Sequence, residues 1–197
     1  NPNHVAALNN LGVVLKALDQ REKAITCYEK AIVIDPNYSE AHNNLGTLLG
    51  DLKQYNKAIS CYERAIEIKP NYADALSNLG VAYYELAQFQ KAINCLEKAI
   101  KIKPGQSNTY FNIANIFMAI FDYQKAINFY EKIIEIDPNH ARANNNIGVA
   151  FKHLGKPEKA VSAYEKAIEI NPNFADAYNN LGVSYKELGE VQKAVSA

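Results

Sequence analysis

Apolar residues recur along the chain at three- and four-residue steps, in blocks that break at regular intervals. Between residues 39 and 52, Leu45, Leu48, Leu49 and Leu52 fall on one side of a 3.6-residue period, which predicts an amphipathic helix, here called A. A turn around Lys53-Gln54-Tyr55 follows. Ala58, Ile59, Tyr62, Ala65, Ile66 and Ile68 then mark a second helix, B, whose other face carries Lys57, Glu63, Arg64 and Glu67. Pro70 has no backbone donor and biases its predecessor out of the helical region, so helix B is expected to stop just before it. Pro70-Asn71-Tyr72 then turns the chain into the next helix A, and no segment shows the two-residue alternation of a strand.

The same pair recurs. Prolines stand at 2, 36, 70, 104, 138 and 172, each 34 residues from the last, a period that belongs to helix–turn–helix units. With Val5 as the first position, repeats 1 to 5 span 5–38, 39–72, 73–106, 107–140 and 141–174, and a partial sixth spans 175–197. One helix pair cannot bury its stripe alone, so neighbours must stack; the expected fold is an all-α solenoid, a single uninterrupted array over 1–197. Gly12, Gly46, Gly80, Gly148 and Gly182 share a fixed place on helix A, and Ala24, Ala58, Ala92, Ala126, Ala160 and Ala194 one on helix B. Small residues there let A and B approach closely. Tyr28, Tyr62, Tyr83, Phe117, Tyr130, Phe151, Tyr164 and Tyr185 are expected to fill the gaps between helices.

These residues resemble the tetratricopeptide repeat (TPR). The family's small–large pattern stands in the third repeat as Leu79-Gly80, Tyr83, Ala92, Ala99 and Pro104. Its usual tryptophan near the start of helix A is replaced by Leu8, His42, Leu76, Tyr110, Asn144 and Tyr178. The resemblance covers the whole chain. It implies a right-handed superhelix whose A helices line a concave groove that holds a protein partner, often as an extended peptide.

Within the pattern, Asn-Asn-Leu-Gly occurs at 9–12, 43–46 and 179–182, with blurred copies in the other repeats. Leu11 is expected to point into the core, which places Asn10 about 100° around the helix from it. In the family geometry Asn10, Asn44, Asn78, Asn112, Asn146 and Asn180 all face the groove as a ladder of carboxamides. Each amide offers two donors and an acceptor oxygen, matching a peptide backbone. The other reading is structural: an asparagine here can bond the neighbouring helix. The ladder resembles that of the superhelical domain of O-linked N-acetylglucosamine transferase and of its plant relative that transfers fucose. Two functions follow as expectations: a scaffold that binds an extended segment of a partner, or the substrate-recognition arm of a larger enzyme whose sugar-transferring domain is absent from this sequence. A self-assembling array is a third.

Other family members grip a C-terminal carboxylate with basic residues on successive A helices. Glu40 beside Asn44 and Asp74 beside Asn78 would repel such a ligand, while Lys16, Lys152 and Lys186 can meet isolated acidic groups. Repeat 4 departs most, with Ala114 for glycine, Ile133 for alanine and Pro104-Gly105-Gln106 before it. It places Phe111 and Met118 on the expected groove side, near Tyr84, with Asn115 between them. That cluster is a candidate anchor pocket, because a few aromatic and methionine side chains carry most binding energy. The alternative is that Phe111 packs on an adjacent helix.

Composition narrows the partners. The 21 acidic and 21 basic side chains balance, and no Lys/Arg block occurs, which argues against nucleic acid or an anionic membrane surface. No apolar run approaches a membrane span, and Asn1-Pro2-Asn3-His4 is not a signal peptide. Cys27, Cys61 and Cys95 lie 34 residues apart and match neither a disulfide framework nor a zinc motif, so they read as semi-buried apolar residues and favour an intracellular, cytoplasmic setting. His4, His42, His140 and His153 are scattered and there is no phosphate loop, so no enzyme activity, cofactor or metal is expected. The opening Asn1–His4 reads as the tail of a preceding repeat, and Lys193–Ala197 stops within a helix B. Both suggest a fragment of a longer array whose uncapped ends associate head-to-tail.

Overall fold

The computed structural model describes residues 2–190 and Ala194, with side chains from His4 onward. Every described element is helical, in the alternating A and B order that the period predicts. The chain divides into two compact modules, Asn1–Pro104 and Gly105–Ala197. The first holds α1 (Pro2–Ala17), α2 (Arg21–Ile34), α3 (Ser39–Asp51), α4 (Tyr55–Ile68), α5 (Ala73–Glu85) and α6 (Phe89–Ile102). The second holds α7 (Ser107–Ala119), α8 (Tyr123–Ile136), α9 (Ala141–His153), α10 (Pro157–Ile170) and α11 (Ala175–Glu187). The helix B expected near the C-terminus lies outside the described residues except at Ala194, which is helical.

Within each repeat the A–B turn closes through one left-handed residue. Lys53 has φ 58°, and the N–H of Gln54 reaches back to the Leu49 carbonyl at 2.8 Å, the six-to-one bond of a Schellman cap. Gly155 and Gly189 take this conformation without strain, whereas Phe121 adopts it at φ 63° with a bulky side chain. At the end of helix B the proline behaves as expected. Where Asp or Asn precedes it, that side chain accepts from the N–H two residues on: Asn37 to Asp35 at 3.0 Å, Asn139 to Asp137 and Asn173 to Asn171 at 3.1 Å.

Gly12, Gly46 and Gly148 sit where helix A meets a tyrosine ring, and Gly80 sits where it meets a leucine. A Cβ on Gly46 would lie 2.7 Å from the Tyr62 ring, and one on Gly80 would lie 2.7 Å from Cγ of Leu96. In the first module Ala24, Tyr28, Leu45, Leu48, Leu49, Tyr62 and Leu79 form one core, so the A helix of each later pair closes over the B helix before it. In the second module Ala160, Tyr164, Leu181 and Tyr185 do the same between α10 and α11.

One expectation fails at α1. Leu11 is 48% exposed, whereas its counterparts Leu45 and Leu79 are buried, because those two pack on the B helix before them. Helix α1 starts at Pro2. Proline suits a first helical turn, where its missing N–H would have no intrahelical partner.

Candidate functional site

The two asparagines of each doublet have different roles. Asn44 donates from Nδ2 to Oδ1 of Asn9 at 2.8 Å. Asn78 donates to Oδ1 of Asn43 at 3.1 Å and to Oγ1 of Thr47 at 3.3 Å. Donor and acceptor are 35 residues apart, one repeat plus one position, because the second asparagine of a doublet meets the first asparagine of the helix A before it. Asn9 and Asn43 are buried; Asn44 and Asn78 are half-buried, and Asn10 is exposed. A buried amide without a partner would cost about 1–3 kcal/mol, so the donor of the next repeat is what lets the first asparagine sit inside.

The second module repeats the bond and extends it. Asn180 donates to Oδ1 of Asn145 at 3.0 Å, and Asn145 donates to Oδ1 of Asn146 at 3.2 Å. Asn146 donates to the Tyr130 hydroxyl at 3.0 Å, and that hydroxyl donates to Oδ1 of Asn115 at 2.6 Å. Five side chains on four helices are thus linked in series, a network in which each bond polarises the next. Asn112 is half-buried on α7.

The remaining cluster residues separate. Phe111 and Asn115 meet around Tyr130, with the Phe111 ring edge-on to Tyr130 at 5.6 Å. Phe111 also lies 5.7 Å from the His140 ring and 5.0 Å beneath the Arg142 guanidinium. Met118 is half-buried one turn beyond. Tyr84 belongs to the first module, where its ring packs on Phe89 at 6.0 Å.

Charges on the A helices are largely paired. Glu40 meets Lys69 at 3.5 Å and Asp74 meets Lys103 at 3.7 Å. Burial opposes ionisation of Glu40, but its backbone and Ser39 hydrogen bonds, with the Lys69 charge, hold its carboxyl below the usual range. Lys16 pairs with Asp51 at 2.8 Å and Lys152 with Glu187 at 3.3 Å, so two of the lysines expected to seek acidic partners have them within the chain. The Tyr55 hydroxyl donates to Glu85 at 3.0 Å. Thr47, Asp51, Tyr55, Asn78 and Glu85 line an open hollow of about 280 Å³ between α3, α4 and α5.

The cysteines are free thiols, buried or half-buried; burial raises those of Cys61 and Cys95, which makes them poor nucleophiles. Among the described residues no three His, Cys, Asp or Glu side chains gather as a metal site, and no helix is long and apolar enough to cross a membrane.

Sequence reasoning missed the acceptors Asn9, Asn43 and Asn145 and the Tyr130 hub. The doublet itself was the signal, since an offset of one repeat plus one position joins its two members.

Comparison with known proteins agrees with this architecture. Models of the tetratricopeptide repeat match residues 4–71 and 38–105, and further ones match 107–140, 129–162 and, as a TPR repeat, 150–189. No curated protein matches the sequence significantly. Among solved structures, one of MamA is 29% identical over 83% of this chain and 96% of its own, with a TM-score of 0.77. YrrB, described as a TPR protein with an unusual peptide-binding site, is 25% identical over 86% of this chain and 88% of its own, with a TM-score of 0.73. PilF of Pseudomonas aeruginosa shares the fold at a TM-score of 0.86 and 19% identity, over 98% of this chain and 88% of its own. With its repeated helix pairs and family models matching more than half its length, the chain belongs to the tetratricopeptide repeat family.

Proposed function

We propose that the array is a protein-interaction scaffold whose A-helix faces hold an extended peptide segment through the second asparagine of each repeat. The observation that carries this reading is the half-buried Asn78. Its NH2 group donates to Asn43 and Thr47, and its carboxamide lines the hollow beside Asp51, Tyr55 and Glu85. Bonding to the preceding helix fixes the amide plane, so the Oδ1 is oriented before a ligand arrives; such preorganisation lowers the entropy cost of binding. Asn44 and Asn180 share this arrangement. Asn146 is held from both ends, accepting from Asn145 and donating to Tyr130. The family supports the reading, as does the peptide-binding site reported for YrrB. Phe111 and Met118 add apolar contact beside the second module's amides.

Selection of peptides by display on the intact chain, followed by titration of Asn44→Ala, Asn78→Ala and Asn180→Ala variants, tests the proposal. Each loss is expected to weaken a selected peptide by roughly tenfold. Unchanged affinity in folded variants contradicts it.

A further inference from the structure

The second module carries a hollow that the amide ladder does not use. Asn144 and Asn146 are two positions apart on α9, about 200° around the helix, so Asn144 faces away from the ladder. It occupies the place in its repeat that Tyr110 holds in the one before, and Ala163 occupies the place of Phe129. In repeat 4 those two rings lie 6.4 Å apart, and Phe129 stacks on Phe117 at 5.4 Å, filling the space between helices. In repeat 5 both rings are gone and only Phe151 remains. The result is a cavity of about 840 Å³ between α8 and α10, floored by Ile134, Ile147, Phe151 and Ala163.

Asn144 lines this cavity at 6% exposure, and among the described residues the only hydrogen bond of its side chain is a 3.4 Å contact from Nδ2 to the His140 carbonyl. A second hollow of about 810 Å³ shares Ile134, Pro138, Asn144 and Lys166 with it and continues to Glu169 and Ile170. From Glu158 to Ile170 the α10 wall runs about 18 Å, longer than one side chain needs. The walls carry four carboxylates, Glu131, Glu135, Glu158 and Glu169, and two ammonium groups, Lys159 and Lys166; Glu135 is paired with Lys132 at 2.8 Å, which leaves three carboxylates against two ammonium groups.

The geometry points to a second peptide-docking groove between α8 and α10, whose occupant is a partner segment presenting a tryptophan side chain flanked by lysine or arginine. The aromatic ring takes the volume that Tyr110 and Phe129 fill one repeat earlier, and its indole N–H donates to the Asn144 carboxamide. The basic neighbours offset the excess of wall carboxylates. An elongated, charged-walled groove fits a chain segment better than a compact ligand.

The protein contains no tryptophan, so a tryptophan peptide excited selectively reports its own burial. The probe is the capped pentapeptide Ser-Lys-Trp-Lys-Ser titrated with the full chain, and a saturable blue shift of its emission is expected. Asn144→Tyr/Ala163→Phe restores the aromatic pair of repeat 4 and is expected to weaken binding at least about tenfold. Glu131→Lys, an exposed substitution, and the capped peptide Ser-Glu-Trp-Glu-Ser on the unaltered chain are each expected to weaken it roughly fivefold or more. No saturable shift, or the same affinity in the filled variant, overturns the groove. Should the filled variant lose its helical signal, unchanged affinity in Glu131→Lys overturns the proposal instead.

Discussion

Tyr130 and Tyr164 stand 34 residues apart at one place in the repeat, and neither has exposed surface. Their hydroxyls nonetheless differ. That of Tyr130 joins Asn115 to Asn146, whereas that of Tyr164 has no hydrogen-bond partner among the described residues. Both partners differ: Asn115 in repeat 4 corresponds to Val149 in repeat 5, which has nothing to offer a phenol, and Asn180, the counterpart of Asn146, donates to Asn145 instead. The Tyr164 proton is held well above the usual phenol range, first by burial and then by the negative charge of Glu187. One repeat therefore uses its tyrosine as a junction in the polar network, and the next uses the same residue as packing alone. A shared backbone plan leaves such choices to single side chains.

The largest expected effect breaks the junction. Tyr130→Phe leaves Asn115 and Asn146 each short of a partner and is expected to cost about 1–3 kcal/mol in urea unfolding. Tyr164→Phe removes no bond and is expected to change stability by less than about 0.5 kcal/mol. Equal losses in the two variants would erase the comparison. Building a partner sharpens it in the other direction: Val149→Thr is expected to add about 1 kcal/mol, because repeat 2 already places Thr47 against the Tyr62 hydroxyl. A midpoint that does not rise would show that Tyr164 cannot reach the new oxygen. The smallest effect lies at the turns. Phe121 holds φ 63° where Gly155 holds φ 67°, so Phe121→Gly is expected to raise the unfolding midpoint by the equivalent of about 0.5–1 kcal/mol, after loss of the ring's contact with Tyr123.

Most of the architecture was legible because it rests on local rules repeated many times. The proline period placed the end of each of the five described B helices, and shared glycines marked close approaches to the facing helix, as Gly46 and Tyr62 show. Leu11 was misread because burial at its position depends on a helix before it, which periodicity alone does not supply. The ladder was half legible. A single helix fixes which way Asn44 points, but only the packing of two A helices reveals that its donor is taken by Asn9. Phe111 was harder still, since Arg142 and His140 come from the following helix pair and its approach. The hollow at Asn144 is visible in the sequence only as an absence, a small polar residue and an alanine where the preceding repeat has Tyr110 and Phe129.

The central claim is that each ladder amide is anchored on one side by the preceding helix and offers its other side to a peptide. Side-chain amide resonances of the ¹⁵N-labelled chain, recorded with and without a display-selected peptide, test it directly. On saturation the signals of Asn44, Asn78 and Asn180 should move, while those of their buried acceptors Asn9 and Asn43 stay within a fraction of that shift. A bound peptide that leaves the ladder amides unmoved would contradict the account.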